Sequence, residues 1–394
     1  MTYDEYQRVT QLFDAPWAGE NPVPVRTVHL DVSNRCNEQC PICYYPDTRS
    51  APEMTLSEIE DVANRYRGRA VVLGGREPTM REDLDDIIRV IAPHCSTLLL
   101  TNGFELDKPG YLESLCQAGL DGVILSFNGV SDEAYVALGG KACFERKMGA
   151  FRALKEARFP TIVSMTVAKG INTDHVRPVL ELCRQHTDFV RELRLRALRP
   201  LGRCAGSDHE QLEMRDLIEL VTAPLDTTLK DLSRGIAFWH EMGNAFDVDS
   251  YRPQACTLEF MTRRIEGKWI CEGELVSQAA LEAVTRWKQR SWYRYAAAPA
   301  LLGQLFRIYG WRPIFRRLWH LRGRWSSCTT PSFRARLDAV RGQNDLLQIT
   351  LKSWPLAERY TESEQHKCAT LFVSKNETCR FCERNIRHSK RKAG

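Results

Sequence analysis

Between residues 26 and 198 the hydrophobic pattern of this chain switches repeatedly between two periods. Short runs of Val, Ile and Leu bounded by polar or turn residues read as strands, and the longer segments between them carry apolar residues at helical spacing. The predicted strands are RTVHLDV (26–32), RAVVL (69–73), STLLLTN (96–102), GVILSFN (122–128), TIVSMTVA (161–168) and ELRLRAL (192–198). Helices are predicted at 56–67, 81–93, 109–118, 131–137, 144–157 and 174–186, the first opening with the capping pattern Thr55-Leu56-Ser57-Glu58. Strands that alternate with crossover-length helices pair in parallel. Six such units predict an α/β fold, a partial (β/α)6 TIM-type barrel, in which ligands gather at the carboxyl ends of the strands.

Past residue 205 the alternation stops. Residues 206–245 read as mainly helical, 250–275 as a short hairpin, 276–325 as helical and basic, and 365–386 as a compact cysteine-containing tail that frays in RHSKRKAG. The predicted division is therefore a lead over 1–25, a barrel core over 26–205, and a mainly helical, cysteine-containing extension over 206–394.

Composition narrows the class. With 43% hydrophobic and 27% charged residues in 394, the chain is a folded globular protein. A net charge of +5 is too mild for a nucleic-acid binder, so no nucleic-acid partner is expected. The opening MTYDEYQRVTQLFD has neither a basic n-region nor an apolar h-region, and no apolar run is long enough to span a bilayer. The expected location is cytoplasmic. One stretch, 296–325, mixes Leu, Ile, Phe and Trp with Arg at helical spacing around Pro313. It suits a helix packed on the barrel with its arginines outward, or peripheral contact with a membrane or a greasy substrate. Fourteen cysteines in a reducing compartment read as metal ligands plus buried thiols.

The first ligand candidates are Cys36, Cys40 and Cys43, in SNRCNEQCPICYY directly after the first strand. Three thiolates spaced C-x3-C-x2-C can hold three irons of a [4Fe–4S] cubane and leave the fourth iron open. Zinc competes, but a structural zinc site needs a fourth ligand, and none lies nearby in sequence. Packed core cysteines are a poor alternative, because the surroundings are polar and Pro41 disfavours a continuous strand.

C-x3-C-x2-C at the end of the first strand of a β/α chain resembles the radical S-adenosylmethionine (radical SAM) superfamily. The resemblance implies that the open iron chelates S-adenosylmethionine, and that one electron, from a donor such as flavodoxin or ferredoxin, cleaves a sulfonium C–S bond to a 5′-deoxyadenosyl radical. The residue before the third cysteine, which in the family is usually aromatic and lies against adenine, is Ile42 here; Tyr44 or Tyr45 are the candidates to replace it. GGREPTMRED (74–83) stands where the family has Gly-Gly-Glu-Pro, so Gly75, Arg76, Glu77 and Pro78 are implied to receive the methionine ammonium. Thr101 and Asn102, Ser126 and Asn128, and Thr166 end the third, fourth and fifth strands, where small polar groups suit the ribose and carboxylate of the cosubstrate. Thr101-Asn102-Gly103 also reads as a turn, Asn128 stands where relatives often carry Asp, Lys169 and Asn172 resemble the family, and Arg196 is an alternative carboxylate anchor.

Cys368, Cys379 and Cys382 lie together in HKCATLFVSKNETCRFCERN, and Cys256 can supply a fourth thiolate, with Cys271 and Cys328 as rivals. A second, auxiliary [4Fe–4S] cluster is the preferred reading; a zinc knuckle or free thiols are the alternatives. Cys95, Cys116, Cys143, Cys183 and Cys204 sit in or beside helical patterns and read as small buried hydrophobes. The succession VAKGIN, RPLGR, MRDLIELV, YRPQAC and KC…CRFCERN resembles the tetraether synthase and pterin methylase branch of that superfamily. It implies functionalisation of an unactivated C–H bond, by carbon–carbon joining or methylation, on a lipid-like or small-molecule substrate. Three rivals remain open: a peptide-modifying maturase, for which a lead of about 25 residues is short, transfer of the aminocarboxypropyl group, and a zinc-stabilised protein without radical chemistry.

Overall fold

The computed structural model describes residues 25–45, 52–204, 209–246, 256–286, 345–355 and 368–390, together with 299, 301, 303–305 and 307. The lead over 1–24, Cys328, and most of the basic stretch 296–325 lie outside the described residues.

Six strands follow the predicted order: β1 Thr27–Ser33, β2 Ala70–Gly75, β3 Ser96–Thr101, β4 Gly122–Ser126, β5 Thr161–Val167 and β6 Val190–Ala197. Between them run α1 Leu56–Arg65, α2 Leu84–Ile91, α3 Tyr111–Ala118, α4 Asp132–Gly139, α5 Phe144–Glu156 and α6 Val176–Gln185. The predicted capping box is present: Thr55 accepts from the Glu58 amide, and the Glu58 carboxylate accepts from the Thr55 amide. Each neighbouring pair from β1 to β6 is parallel. The outer faces of these strands pack with the helices into one large apolar core that includes Leu30, Leu73, Leu99, Leu125, Val163 and Leu195.

The extension begins with the expected helices, α7 Met214–Leu225 and α8 Leu229–Phe246. It then returns to the sheet. The predicted hairpin is β7 Thr257–Ile265 with β8 Lys268–Cys271, followed by a single helical turn at Glu272–Leu275 and α9 Gln278–Arg286. Three strands follow that the local pattern does not predict: β9 Leu346–Lys352, β10 Thr370–Val373 and β11 Thr378–Arg380, ahead of α10 Phe381–Lys390. The strand β9 pairs in parallel with β6, and β10 pairs in parallel with β1. The order is β11-β10-β1-β2-β3-β4-β5-β6-β9-β7-β8, so eight parallel strands stand in a row with antiparallel β7–β8 beyond one side and β11 beyond the other.

Two features hold the end of β1 against β2. Gly75 sits at φ +110°, and a Cβ there would stand 2.4 Å from Asp31 Oδ1 and 2.4 Å from the Ser33 carbonyl, so only glycine allows that approach. Arg81 donates to the Val32 and Met54 carbonyls and grips Asp83 with two nitrogens, tying the strand end to the start of both α1 and α2.

Candidate functional site

The loop after β1 carries Cys36, Cys40 and Cys43, and it is fastened from several sides. The Arg76 amide donates to the Ser33 carbonyl at 2.8 Å and the Glu77 amide to the Arg35 carbonyl at 3.0 Å, so GGREP is stitched directly to the cysteine loop. Asn102 Nδ2 reaches Asn37 Oδ1 at 2.6 Å, and Lys147, buried on α5, donates to the Asn102 carbonyl and lies 3.9 Å from Glu38. From the far side, the turn Gly202–Cys204 packs on the third cysteine. The Arg203 amide donates to the Cys43 carbonyl, and a Cβ on Gly202 would fall 2.4 Å from the Tyr44 backbone. RPLGR thus positions the loop, a role with no local signature in the sequence.

Glu77 is 1% exposed. Its Oε1 accepts from Thr101 Oγ1 at 2.6 Å and from Thr79, and its Oε2 accepts from the Asn102 amide at 2.8 Å. Burial pushes its pKa up against the pull of these bonds. Thr101 and Asn102 therefore organise the ends of β2 and β3 through this carboxyl rather than forming a turn alone. Just past the end of β4, Asn128 joins strand ends in the same way. Its Oδ1 accepts from the Thr166 amide, and its carbonyl accepts from the fully buried Asn172. Thr166 Oγ1 in turn accepts from Arg196 Nη2 at 3.2 Å. Ser126, the last residue of β4, lies opposite Ser164 of β5. Gly75, Glu77 and Pro78 are buried and Arg76 half-buried at the end of β2.

The residues of the loop fit an iron–sulfur cluster. Burial, Glu38 and the neighbouring cysteines push Cys40 up to about 12, and burial with Glu77, Glu38 and Cys43 raises Cys36 to about 11. Cys36 and Cys40, held protonated by burial and nearby carboxylates, form with Cys43 a donor set that positive iron would stabilise as thiolates. Ile42 packs with Leu138, Ala168, Ile171 and Leu198, forming an apolar wall at the ends of β5 and β6. Tyr44 and Tyr45 do not share that wall. Tyr44 meets Trp354 and Phe381, and Tyr45 lies under Arg384 and against His29.

That turn of the chain leads to the second cysteine group. Cys256, Cys368 and Cys382 converge from three segments on one cavity, and the proximity of Cys382 lowers Cys256 and Cys368 while its own thiol is raised. Among the described residues no group of three or more His, Cys, Asp or Glu side chains encloses a single ion. Cys379, on β11 opposite Phe372, belongs to the same apolar cluster as Cys368 but is set among Glu377, Glu383 and Arg387. Cys271 is buried beside Glu272 and Gly273, away from the trio. Cys95, Cys143, Cys183 and Cys204 are buried, and Cys116 half-buried, in apolar packing as expected.

Cys256, Cys368 and Cys382 line a cavity of about 240 Å³, which Tyr44, next to Cys43, also lines. Its floor on β2–β5 is apolar, with Val72, Leu98, Ile124 and Ile162 in contact. Its opposite wall on β6, β9 and β7 is ionic, with Glu192, Arg194, Arg196, Lys352 and Glu259, and Tyr44, Trp354 and the three thiols also line the cavity. The pocket-facing residues recur at every second position, as the pleat demands.

Part of the chain is similar to known proteins. Residues 30–183 match the family described as the Radical SAM superfamily. Over 210 residues the chain is 29% identical to 7,8-dihydro-6-hydroxymethylpterin dimethyltransferase of Methanocaldococcus jannaschii, covering 50% of this chain and 42% of the relative. It is 30% identical over 191 residues to a probable GTP 3',8-cyclase of Thermococcus kodakarensis, covering 46% and 61%. The chain thus spans about half the length of these relatives. A structure of Streptococcus suis SuiB bound to S-adenosylmethionine overlaps 57% of this chain and 52% of SuiB, with a TM-score of 0.46 at 15% identity.

Proposed function

Because residues 30–183 are a radical SAM domain, we propose that this chain is an enzyme that uses S-adenosylmethionine to functionalise an unactivated C–H bond of a small molecule. With a [4Fe–4S] cluster and S-adenosylmethionine bound, the chemistry on offer is one-electron cleavage of the sulfonium to a 5′-deoxyadenosyl radical, which removes a hydrogen atom. The observation that carries the reading is the Cys36 loop, fastened to the ends of β2 and β3 and to the turn after β6.

Each residue has a task in this reading. Cys36, Cys40 and Cys43 hold the cluster as thiolates. Glu77, held by Thr79, Thr101 and the Asn102 amide, belongs with Gly75, Arg76 and Pro78 to the loop that receives the methionine end of the cosubstrate. Thr101, Asn102, Ser126, Asn128, Thr166 and Arg196 supply the polar rim along successive strand ends, and Arg196 anchors a carboxylate. Ile42 offers an apolar face in place of an aromatic one. Cys256, Cys368, Cys382 and Cys379 hold an auxiliary [4Fe–4S] cluster, for which two readily ionised thiols beside a third are a suitable donor set. Sheltering the reacting carbon from water falls to Tyr44, Trp354 and Phe381. An electron donor of flavodoxin or ferredoxin type completes the system.

A cavity of about 240 Å³ suits a compact molecule better than a lipid tail. Carbon–carbon joining and methylation are both compatible with it. Among the described residues no helix is long and apolar enough to cross a membrane.

The reading is tested by incubating reduced, anaerobically reconstituted protein with S-adenosylmethionine and analysing products by mass spectrometry. It requires 5′-deoxyadenosine. Methylthioadenosine without 5′-deoxyadenosine would replace it with aminocarboxypropyl transfer, and no cleavage at all would remove the radical chemistry.

A further inference from the structure

The ionic wall of the cavity sets two cations side by side. Arg196 at the end of β6 and Lys352 at the end of β9 are direct partners in the parallel register, and both face the cavity. Two positions earlier on β6, Arg194 is neutralised by Glu192 at 2.7 Å. Neither Arg196 nor Lys352 has a carboxylate within ion-pair distance among the described residues, and Arg196 Nε is buried with no partner there. Like charges set side by side across a pair of strands destabilise it, and burying unpaired charge adds to the cost. Burial and Arg194 press both groups below their ordinary range, against the opposing pull of Tyr44 on Arg196 and of Cys256, Glu259 and Glu192 on Lys352. His29, which faces them from β1, is kept neutral by burial and by the surrounding cations. Such an arrangement is relieved by an anion seated between the two side chains.

The facing wall has the opposite chemistry. Val72, Leu98, Ile124 and Ile162 present methyl groups and no hydrogen-bonding side chain. A ligand that satisfies both walls within about 240 Å³ is small, apolar over most of its body, and charged at one end.

We propose that Arg196 and Lys352 seat an anionic group, a carboxylate or a phosphate, of a small substrate whose apolar portion lies on Val72, Leu98, Ile124 and Ile162. The proposal rests on the reading of this cavity as the substrate chamber of a radical SAM enzyme. Lys352 separates it from other uses of the same positive charge, since Arg196 also anchors the cosubstrate in that reading.

The test is calorimetric titration of the reconstituted holoenzyme with benzoate, phenyl phosphate and the neutral benzamide. Wild type is expected to bind one of the two anions about tenfold or more tighter than benzamide, and the preferred anion identifies the group. Lys352→Met should abolish the preference and Lys352→Arg should keep it, with iron content and S-adenosylmethionine affinity at wild-type levels in both. Lys352→Gln serves if the Met variant does not fold. Equal binding of all three probes by wild type overturns the proposal, as does a preference that survives Lys352→Met or Lys352→Gln. Loss of iron would assign the charge to the auxiliary cysteines, and loss of S-adenosylmethionine affinity would assign it to the cosubstrate; either result also overturns it. If S-adenosylmethionine is not cleaved, the underlying reading has failed; if it is cleaved while anions gain nothing over benzamide, only the anion seat has.

Discussion

Cys36, Cys40 and Cys43 are legible in the sequence because metal chemistry fixes both residue type and spacing, and three thiols within eight residues have few other uses. Glu77 is half legible. Its place in GGREP marks it, but its hydrogen bonds to Thr101 and the Asn102 amide join residues 24 and 25 positions away, which no local pattern encodes. Tyr44 and Tyr45 are legible only as neighbours of the motif; that they pack with Trp354, Phe381 and Arg384 is set by segments more than three hundred residues away. Away from the site, Glu272 is wholly buried, accepting from Trp239 Nε1 at 2.8 Å and the Met261 amide at 3.0 Å. Burial outweighs these bonds and pushes its carboxyl from 4.5 to about 7. Between those values the unfolded chain releases this proton while the folded chain keeps it, so this group makes stability fall as pH rises from about 4.5 to about 7. Glu272→Gln should remove that slope, on the order of 2–3 kcal/mol across the interval. Urea unfolding at pH 5 and pH 7.5 checks this; an unchanged pH difference in the variant would show that the carboxyl is ionised throughout.

At the scale of elements, the alternation over 26–198 gives the six β/α units almost residue for residue, because each is a local pattern of period 2 or 3.6. The strands β9 and β10 escape such a reading. LLQITLK has strand character, but nothing nearby says that Gln348 pairs with Glu192, and TLFV is too short to be distinctive until Thr370 meets Thr27. Their positions follow from the core, which needs neighbours on both sides of the six-stranded sheet. The β1–β2 contact is where one side chain matters most. Gly75→Ala would place a Cβ against Asp31 and Ser33 at positive φ, and we expect a loss of about 2–4 kcal/mol together with weaker cluster retention. Gly68 also has positive φ, but a Cβ there meets nothing within 4 Å, so Gly68→Ala should cost only about 1 kcal/mol. Thermal melts of the two variants with iron analysis separate the cases; equal losses would mean that backbone strain alone, not close approach of the strands, sets the need for glycine.

For the molecule as a whole, the extension completes the site rather than standing beside it. It supplies β9 with Lys352, β10 beside β1, Trp354 lining the cavity, and the thiols of Cys256, Cys368 and Cys382. Sequence alone identifies those thiols as ligand candidates. Their convergence from segments more than a hundred residues apart comes from the sheet, which brings the end of β9, the start of β7 and the β10–α10 segment to one place. The central claim is that the Cys36 loop holds the cluster that opens S-adenosylmethionine. Iron, sulfide and 5′-deoxyadenosine should be measured together on anaerobically reconstituted wild type and on the Cys36→Ala, Cys40→Ala, Cys43→Ala triple variant. Wild type should carry about eight irons and form 5′-deoxyadenosine, and the triple variant should retain about four irons and form none. Zinc in place of iron, or a triple variant that keeps all its iron and still yields 5′-deoxyadenosine, would contradict the account.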